Sequence, residues 1–156
     1  MTSMTILDEL DKRILLQLQQ DCAISNHELA ARVHASPPTC LRRVKRLTDE
    51  GVIARQVALL APEKLASSLT AIVEITLDLQ ASEKLIAFEA LVASDIAVQQ
   101  CYRVSPGPDF VLVIQVADMA AYHALAHRLF AGHSNIRNVR SFFSIFRSKF
   151  ETRIAI

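Results

Sequence analysis

No apolar run in this chain approaches the roughly 18 to 20 residues that a membrane-spanning helix needs. The opening residues, MTSMTILDELDKR, lack the basic n-region and apolar core of a secretory signal. Cysteine is sparse: Cys22, Cys40 and Cys101 are too few and too scattered for a disulfide framework or a CxxC metal site. Reduced thiols and a cytoplasmic location are the simplest expectation. Charge of one sign is lacking too, because 17 Lys and Arg face 16 Asp and Glu for a net charge of +1. The total therefore says nothing about partners, and only its distribution can. There is no GxxxxGK[ST] phosphate loop, no nucleophile–base arrangement and no suggestively spaced carboxylate pair, so no catalytic residue, cofactor or enzymatic role is expected. What the 156 residues do have is apolar content, 51%, with a mean hydropathy of +0.27. With lipid disfavoured, the surplus points to an interface between copies of the chain.

The first 53 residues have a helical period. Leu7, Leu10, Ile14, Leu15 and Leu18 recur at three- and four-residue spacing and predict a helix near residues 8–20. In SNHELAARV, Ser25 followed by Glu28 has the capping-box spacing, which predicts a short second helix with Leu29, Ala30 and Val33 inward. Three residues later Ser36 can cap a third helix, with Pro37 suited to its first position. Gly51 is placed to end it in a left-handed conformation. Two helices joined by so tight a turn form a helix-turn-helix, and VIARQVALL could add a small wing strand.

The stretch SPPTCLRRVKRL, residues 36–47, carries the chemistry. It holds four basic residues in five positions, 42–46. At about 100° per residue, Leu41, Val44 and Leu47 are expected inward, with Thr39, Arg42 and Arg46 opposite and Arg43 and Lys45 on the flanks. A basic helix face is often no more than a solvated surface. Its position after a capped short helix and a tight turn favours instead a recognition helix, whose Arg and Lys side chains can pair with guanine edges and phosphates. The expected DNA-facing set is Pro38, Thr39, Arg42, Arg43, Lys45 and Arg46. Ser25 and Asn26, at the start of the second helix, are expected to touch phosphates.

After residue 67 the period changes. LTAIVEITLD, AVQQCYRV, DFVLVIQVA and NIRNVRSFFSIFR read as strands, and SEKLIAFEALVAS and DMAAYHALAHRLFAG as helices, the latter capped by Asp118. The order β-α-β-β-α-β is ferredoxin-like. The fold class is therefore α+β: a winged helix-turn-helix domain over residues 1–60, a linker at 61–68 and a ferredoxin-like domain at 69–156. His123 and His127, four apart on one helix, could share a face, but ALA between them supplies no glutamate, so this is not the metalloprotease motif and no metal is expected. Phe142, Phe143, Phe146 and Phe150 crowd the last strand, whose alternation puts Phe142 and Phe146 on one face and Phe143 on the other; on a ferredoxin-like sheet such aromatics can stack RNA bases, but a core plus a subunit interface accounts for them more cheaply.

The first half, LDELDKRILLQLQQD…ISNHELAARVHASPPTCLRRVKRLTDEGVI, closely resembles the DNA-binding half of the Lrp/AsnC family of transcriptional regulators, and the second half resembles that family's effector and assembly domain. The resemblance spans roughly residues 6–154. It implies a regulator that binds double-stranded DNA, dimerises through its sheet domain, commonly builds octamers, and responds to a small ligand, usually an amino acid. Relatives often carry Ser-Gly-Asp-aromatic-Asp before an aromatic in the effector loop. The corresponding residues are Ser105, Pro106, Gly107, Pro108, Asp109 and Phe110. Asp109 and Phe110 match the later acid and the aromatic, whereas Gly107 stands at the earlier acid position, which implies an altered effector specificity. After GVI, where many relatives have a Gly-Tyr-like pair, this chain has Ala54, Arg55, Gln56 and Val57. An architectural DNA binder without effector, or a small-molecule sensor working through protein contacts, are the alternative functions.

Overall fold

A computed structural model describes residues 5–65 and 69–156. The chain divides into two compact units, one comprising the residues up to Leu59 together with Lys149–Ile156, the other Leu60–Ser148. Residues 66–68 of the expected linker lie outside the described residues.

The first unit contains helices α1 (Glu9–Gln20), α2 (Asn26–Arg32) and α3 (Pro37–Asp49). Their apolar stripes meet in one core of Ile14, Leu15, Leu29, Ala30, Val33, Cys40 and Leu47, with Leu7, Leu10, Leu18 and Val44 packed against it. Each fully buried aliphatic side chain of this size contributes about 1.5–3 kcal/mol, which is what holds three short helices together. The reciprocal capping box is found at α1 rather than α2. Asp8 accepts from the Asp11 backbone N–H at 2.9 Å, and Asp11 accepts from that of Asp8 at 3.1 Å. At α2, Ser25 accepts from the Glu28 N–H, but the Glu28 carboxylate is taken by Arg32, 2.6 Å away and four residues on. The turn between α2 and α3 passes through His34 at φ 56°, a left-handed position. It is closed by the Ala35 N–H donating to Ala30 O at 3.0 Å.

Ser36 caps α3 by accepting from Thr39, with Pro37 as its first residue. Gly51 follows at φ +74°, where a side chain would be strained. The chain then turns back, the Ile53 N–H donating to Leu47 O at 3.0 Å, and Val52 and Ile53 join the core. Residues 52–60, expected as a wing strand, form no strand; no described segment offers them a ladder partner, and an unpaired strand has nothing to satisfy its backbone. The terminal segment pairs with α1, Gln19 exchanging hydrogen bonds with the Ile154 backbone at 3.1 and 2.7 Å.

The second unit runs β1 (Leu69–Leu77), α4 (Ser82–Ala93), β2 (Val98–Arg103), β3 (Phe110–Val116), α5 (Met119–Ala126, ending in a wider π turn, His127–Ala131) and β4 (Ile136–Phe143). The antiparallel sheet has the order β2-β3-β1-β4, so each crossover skips one strand, as the ferredoxin-like arrangement requires. Alternation along β1 sends Ala71, Val73, Ile75 and Leu77 inward, to meet Phe110, Leu112 and Ile114 of β3, Phe88 and Val92 of α4, and Tyr122 and Leu125 of α5. On the other face Ile72, 43% exposed, lies opposite Phe142, 45% exposed, and Arg140 pairs with Glu74 while its guanidinium sits 5.3 Å over the Phe142 ring. β4 stops earlier than its sequence suggests. Phe143 turns edge-on to Tyr122, and Phe146, expected to share a strand face with Phe142, lies beyond the strand and is exposed.

Candidate DNA-reading helix and effector loop

Helix α3 is oriented by three sets of contacts. Its inner face is Cys40, Val44 and Leu47, of which Cys40 and Leu47 are fully buried. Burial pushes the Cys40 thiol pKa up, so it behaves as a small hydrophobe. Leu41, expected on this face, is instead 62% exposed. One helical step of about 100° separates it from Cys40, and with Cys40 filling the core Leu41 is carried outward. At the start of the helix, Asn26 Nδ2 donates to Pro37 O at 2.9 Å, tying the first turns of α2 and α3 together.

The third set is ionic. Asp11 is 1% exposed. Besides its cap bond it accepts from Arg46 at 2.5 Å and from Arg43 at 3.1 Å, while Arg43 also reaches Asp8 at 2.5 Å. The Asp11 backbone N–H, followed by the Arg43 guanidinium, holds the Asp8 carboxyl down at about 2. Asp8 and then Asp11 push the Arg43 pKa up in return. Two of the four basic residues on α3 therefore lean on α1.

The remaining pair points elsewhere. Arg42 and Lys45 are exposed, and among the described residues no hydrogen bond or ion pair holds either. Pro38 and Leu41 lie beside them, so 38, 41, 42 and 45 make one open face. Thr39 is half-buried, its hydroxyl 2.8 Å from Ser36 Oγ. Ser25 is exposed and engaged in capping; Asn26 is half-buried and engaged with Pro37.

The loop between β2 and β3 likewise separates into a buried and an open part. Phe110 is fully buried, its ring 4.8 Å from that of Phe88. Asp109 Oδ2 accepts from the Leu77 N–H at 2.6 Å, its own N–H donates to Ile75 O at 2.8 Å, and its carbonyl accepts from Val104 at 3.0 Å. Both residues fasten the loop to the end of β1. Ser105, Pro106 and Gly107 are exposed, the Ser105–Pro106 bond is cis, and Gly107 has φ +125°, a conformation closed to other residues. His123 and His127 are exposed on α5, and no metal-holding group of three ligands occurs among the described residues.

Sequence reasoning missed the role of Asp8 and Asp11. The D-x-x-D spacing at the head of α1 was the available signal; its connection to Arg43 and Arg46, more than thirty residues away, has no local trace.

A capped helix-turn-helix with a partly free basic face, followed by a ferredoxin-like domain, defines a two-domain DNA-binding regulator. Residues 7–54 match the family model for winged helix-turn-helix DNA-binding, and residues 70–154 that for the Lrp/AsnC ligand binding domain. The leucine-responsive regulatory protein of Salmonella typhimurium is 38% identical over 150 residues, covering 96% of this chain and 92% of that protein. An AsnC family transcriptional regulator from Agrobacterium tumefaciens superposes with TM-score 0.89 at 36% identity, covering 96% of this chain and 97% of that one. A Neisseria meningitidis transcriptional regulator, solved as an L-Met complex, superposes with TM-score 0.89 at 30% identity and the same coverage. The chain belongs to the Lrp/AsnC family of transcriptional regulators.

Proposed function

We propose that the chain is a cytoplasmic, homo-oligomeric regulator that reads a specific DNA sequence through α3 and whose assembly or DNA affinity responds to an amino acid bound at the 105–110 loop. The observation that carries the DNA reading is the open face of α3, on which Arg42 and Lys45 have no partner of their own. Arg42 is the residue placed to pair with a base edge and Lys45 to neutralise a phosphate. Arg43 and Arg46 serve α3 mainly by fixing it to α1. Ser25, Asn26 and the backbone at the start of α2 face phosphates, and Thr39 lies at the edge of the same surface.

The L-Met bound to the Neisseria relative supports an amino acid as effector. At the loop, Ser105, Pro106 and Gly107 are the residues open to a ligand, while Asp109 and Phe110 shape it from behind. The half-exposed sheet face around Ile72 and Phe142 suits self-association. An effector acting through assembly must bind two assemblies with different affinity. The domain division that goes with this reading is 1–60, a linker at 61–68, and 69–156, with Lys149–Ile156 returning to the helical unit.

The test is Arg42→Ala binding to a selected operator at fixed salt. A loss of about 1–3 kcal/mol is expected if the guanidinium reads a base. Binding equal to that of the unsubstituted protein removes Arg42 from the reading.

A further inference from the structure

Leu41 is a large apolar side chain standing in the middle of a polar surface. It is 62% exposed, and it is not among the residues that pack against the helical core. A single exposed leucine is ordinary on a protein surface. What distinguishes this one is its company: Pro38 lies one turn before it, Arg42 adjoins it, and Lys45 lies one turn after it. The two basic side chains have no intramolecular partner among the described residues.

The other two basic residues of the helix are drawn to Asp8 and Asp11 on the opposite flank. The outward face therefore consists of an apolar patch, Pro38 and Leu41, bordered by two free cations. A major groove presents acceptors and donors suited to Arg and Lys, and one apolar feature suited to leucine, the 5-methyl group of thymine.

We propose that Leu41, backed by Pro38, reads a thymine through its 5-methyl group, next to the base or phosphate that Arg42 engages. This rests on α3 being the DNA-reading helix. It makes Leu41 a specificity-determining residue that rejects cytosine, which carries only hydrogen at that carbon, and that contributes nothing to the core.

The experiment uses the full-length protein and an operator selected from random duplexes. Each thymine of the operator is replaced singly by deoxyuridine, which removes the methyl group and leaves every hydrogen-bonding edge intact. At one thymine per half-site the wild-type protein should bind about fourfold more weakly, the effect of one buried methyl-sized group. The Leu41→Ala protein should bind the thymine and deoxyuridine versions of that site equally, whereas Arg42→Ala should still distinguish them. If no deoxyuridine substitution weakens the wild-type protein, or if Leu41→Ala keeps the same penalty, the assignment is overturned. The wild-type measurements need no variant to fold. If selection yields no duplex bound more tightly than scrambled DNA, the reading of α3 itself fails and takes Leu41 with it; specific binding without a methyl effect overturns Leu41 alone.

Discussion

Removing the Asp11 carboxylate should loosen the helical unit without touching its apolar core. The side chain is 1% exposed and makes three kinds of contact: the cap bond from the Asp8 N–H at 3.1 Å, the Arg46 bond at 2.5 Å and the Arg43 bond at 3.1 Å. A hydrogen bond to a charged group nets about 1.5–3 kcal/mol, but Arg46 keeps 39% of its side chain in solvent and recovers hydration when the partner leaves, so about 1 kcal/mol is reasonable for that pair. Loss of the bond from the Asp8 N–H, the N3 half of the capping box, adds about 1 kcal/mol. Arg43 keeps its bond to Asp8 when Asp11 is removed and adds little. Asp11→Ala should thus cost about 2 kcal/mol. With a urea slope of about 2 kcal/mol/M, the helical transition should move down by about 1 M. The assay is urea unfolding followed by far-ultraviolet circular dichroism, at one protein concentration because assembly alters apparent stability. The double variant Asp11→Ala/Arg46→Ala should be less destabilised than the sum of the singles by about 1 kcal/mol. An unchanged midpoint for Asp11→Ala, or strict additivity, refutes the idea that this carboxylate anchors α3.

Three further outcomes follow from local geometry. His34 sits at φ 56°, so His34→Val, with a β-branched side chain in a left-handed position, should lose about 1–2 kcal/mol, while His34→Gly should match or exceed the parent in thermal unfolding. Asp109→Ala leaves the Leu77 N–H without its acceptor and should cost about 1–2 kcal/mol, with faster amide exchange at Leu77. The Asp8 carboxyl is depressed from 3.8 to about 2 in the folded chain. Its stabilising effect is therefore complete above pH 4 and is lost as pH falls through 2. Comparing Asp8→Asn with the parent in acid unfolding should show the two curves converging across that window; a constant offset down to pH 2 would contradict the assignment.

What could be read from the sequence were features written in short-range spacing. The stripe Leu10, Ile14 and Leu15 forms the inner face of α1, with Leu7 packed on the same core just before the helix, Ser36 and Asp118 cap the helices they were expected to cap, and strict alternation in LTAIVEITL gives β1 one buried face. The misplacements arose where two local options competed and a neighbour decided. Glu28 has the spacing to complete a capping box, yet Arg32 at the next turn takes its carboxylate. Leu41 and Cys40 are one step apart, and the smaller residue fills the space against the helical core. In the loop, the bonds of Asp109 to the end of β1 and the contact of Phe110 with the Phe88 ring join segments far apart in sequence and leave no local trace. The division of the basic cluster into held and free pairs depends on acids more than thirty positions away, beyond any window of periodicity.

That division has a consequence for how tightly the protein's grip on DNA is coupled to ionic strength. Each phosphate neutralised by a cation releases condensed counterions and steepens the dependence of log affinity on log salt by about 0.9. Four free basic residues on α3 would contribute a slope near −3.6 per protomer by that rule. With Arg43 and Arg46 already neutralised by Asp8 and Asp11, the helix can contribute at most about −1.8. A larger share of its binding free energy must then come from fitting the right bases, so its occupancy of a correct site should withstand changes in cellular salt that would strip a more heavily charged helix from DNA.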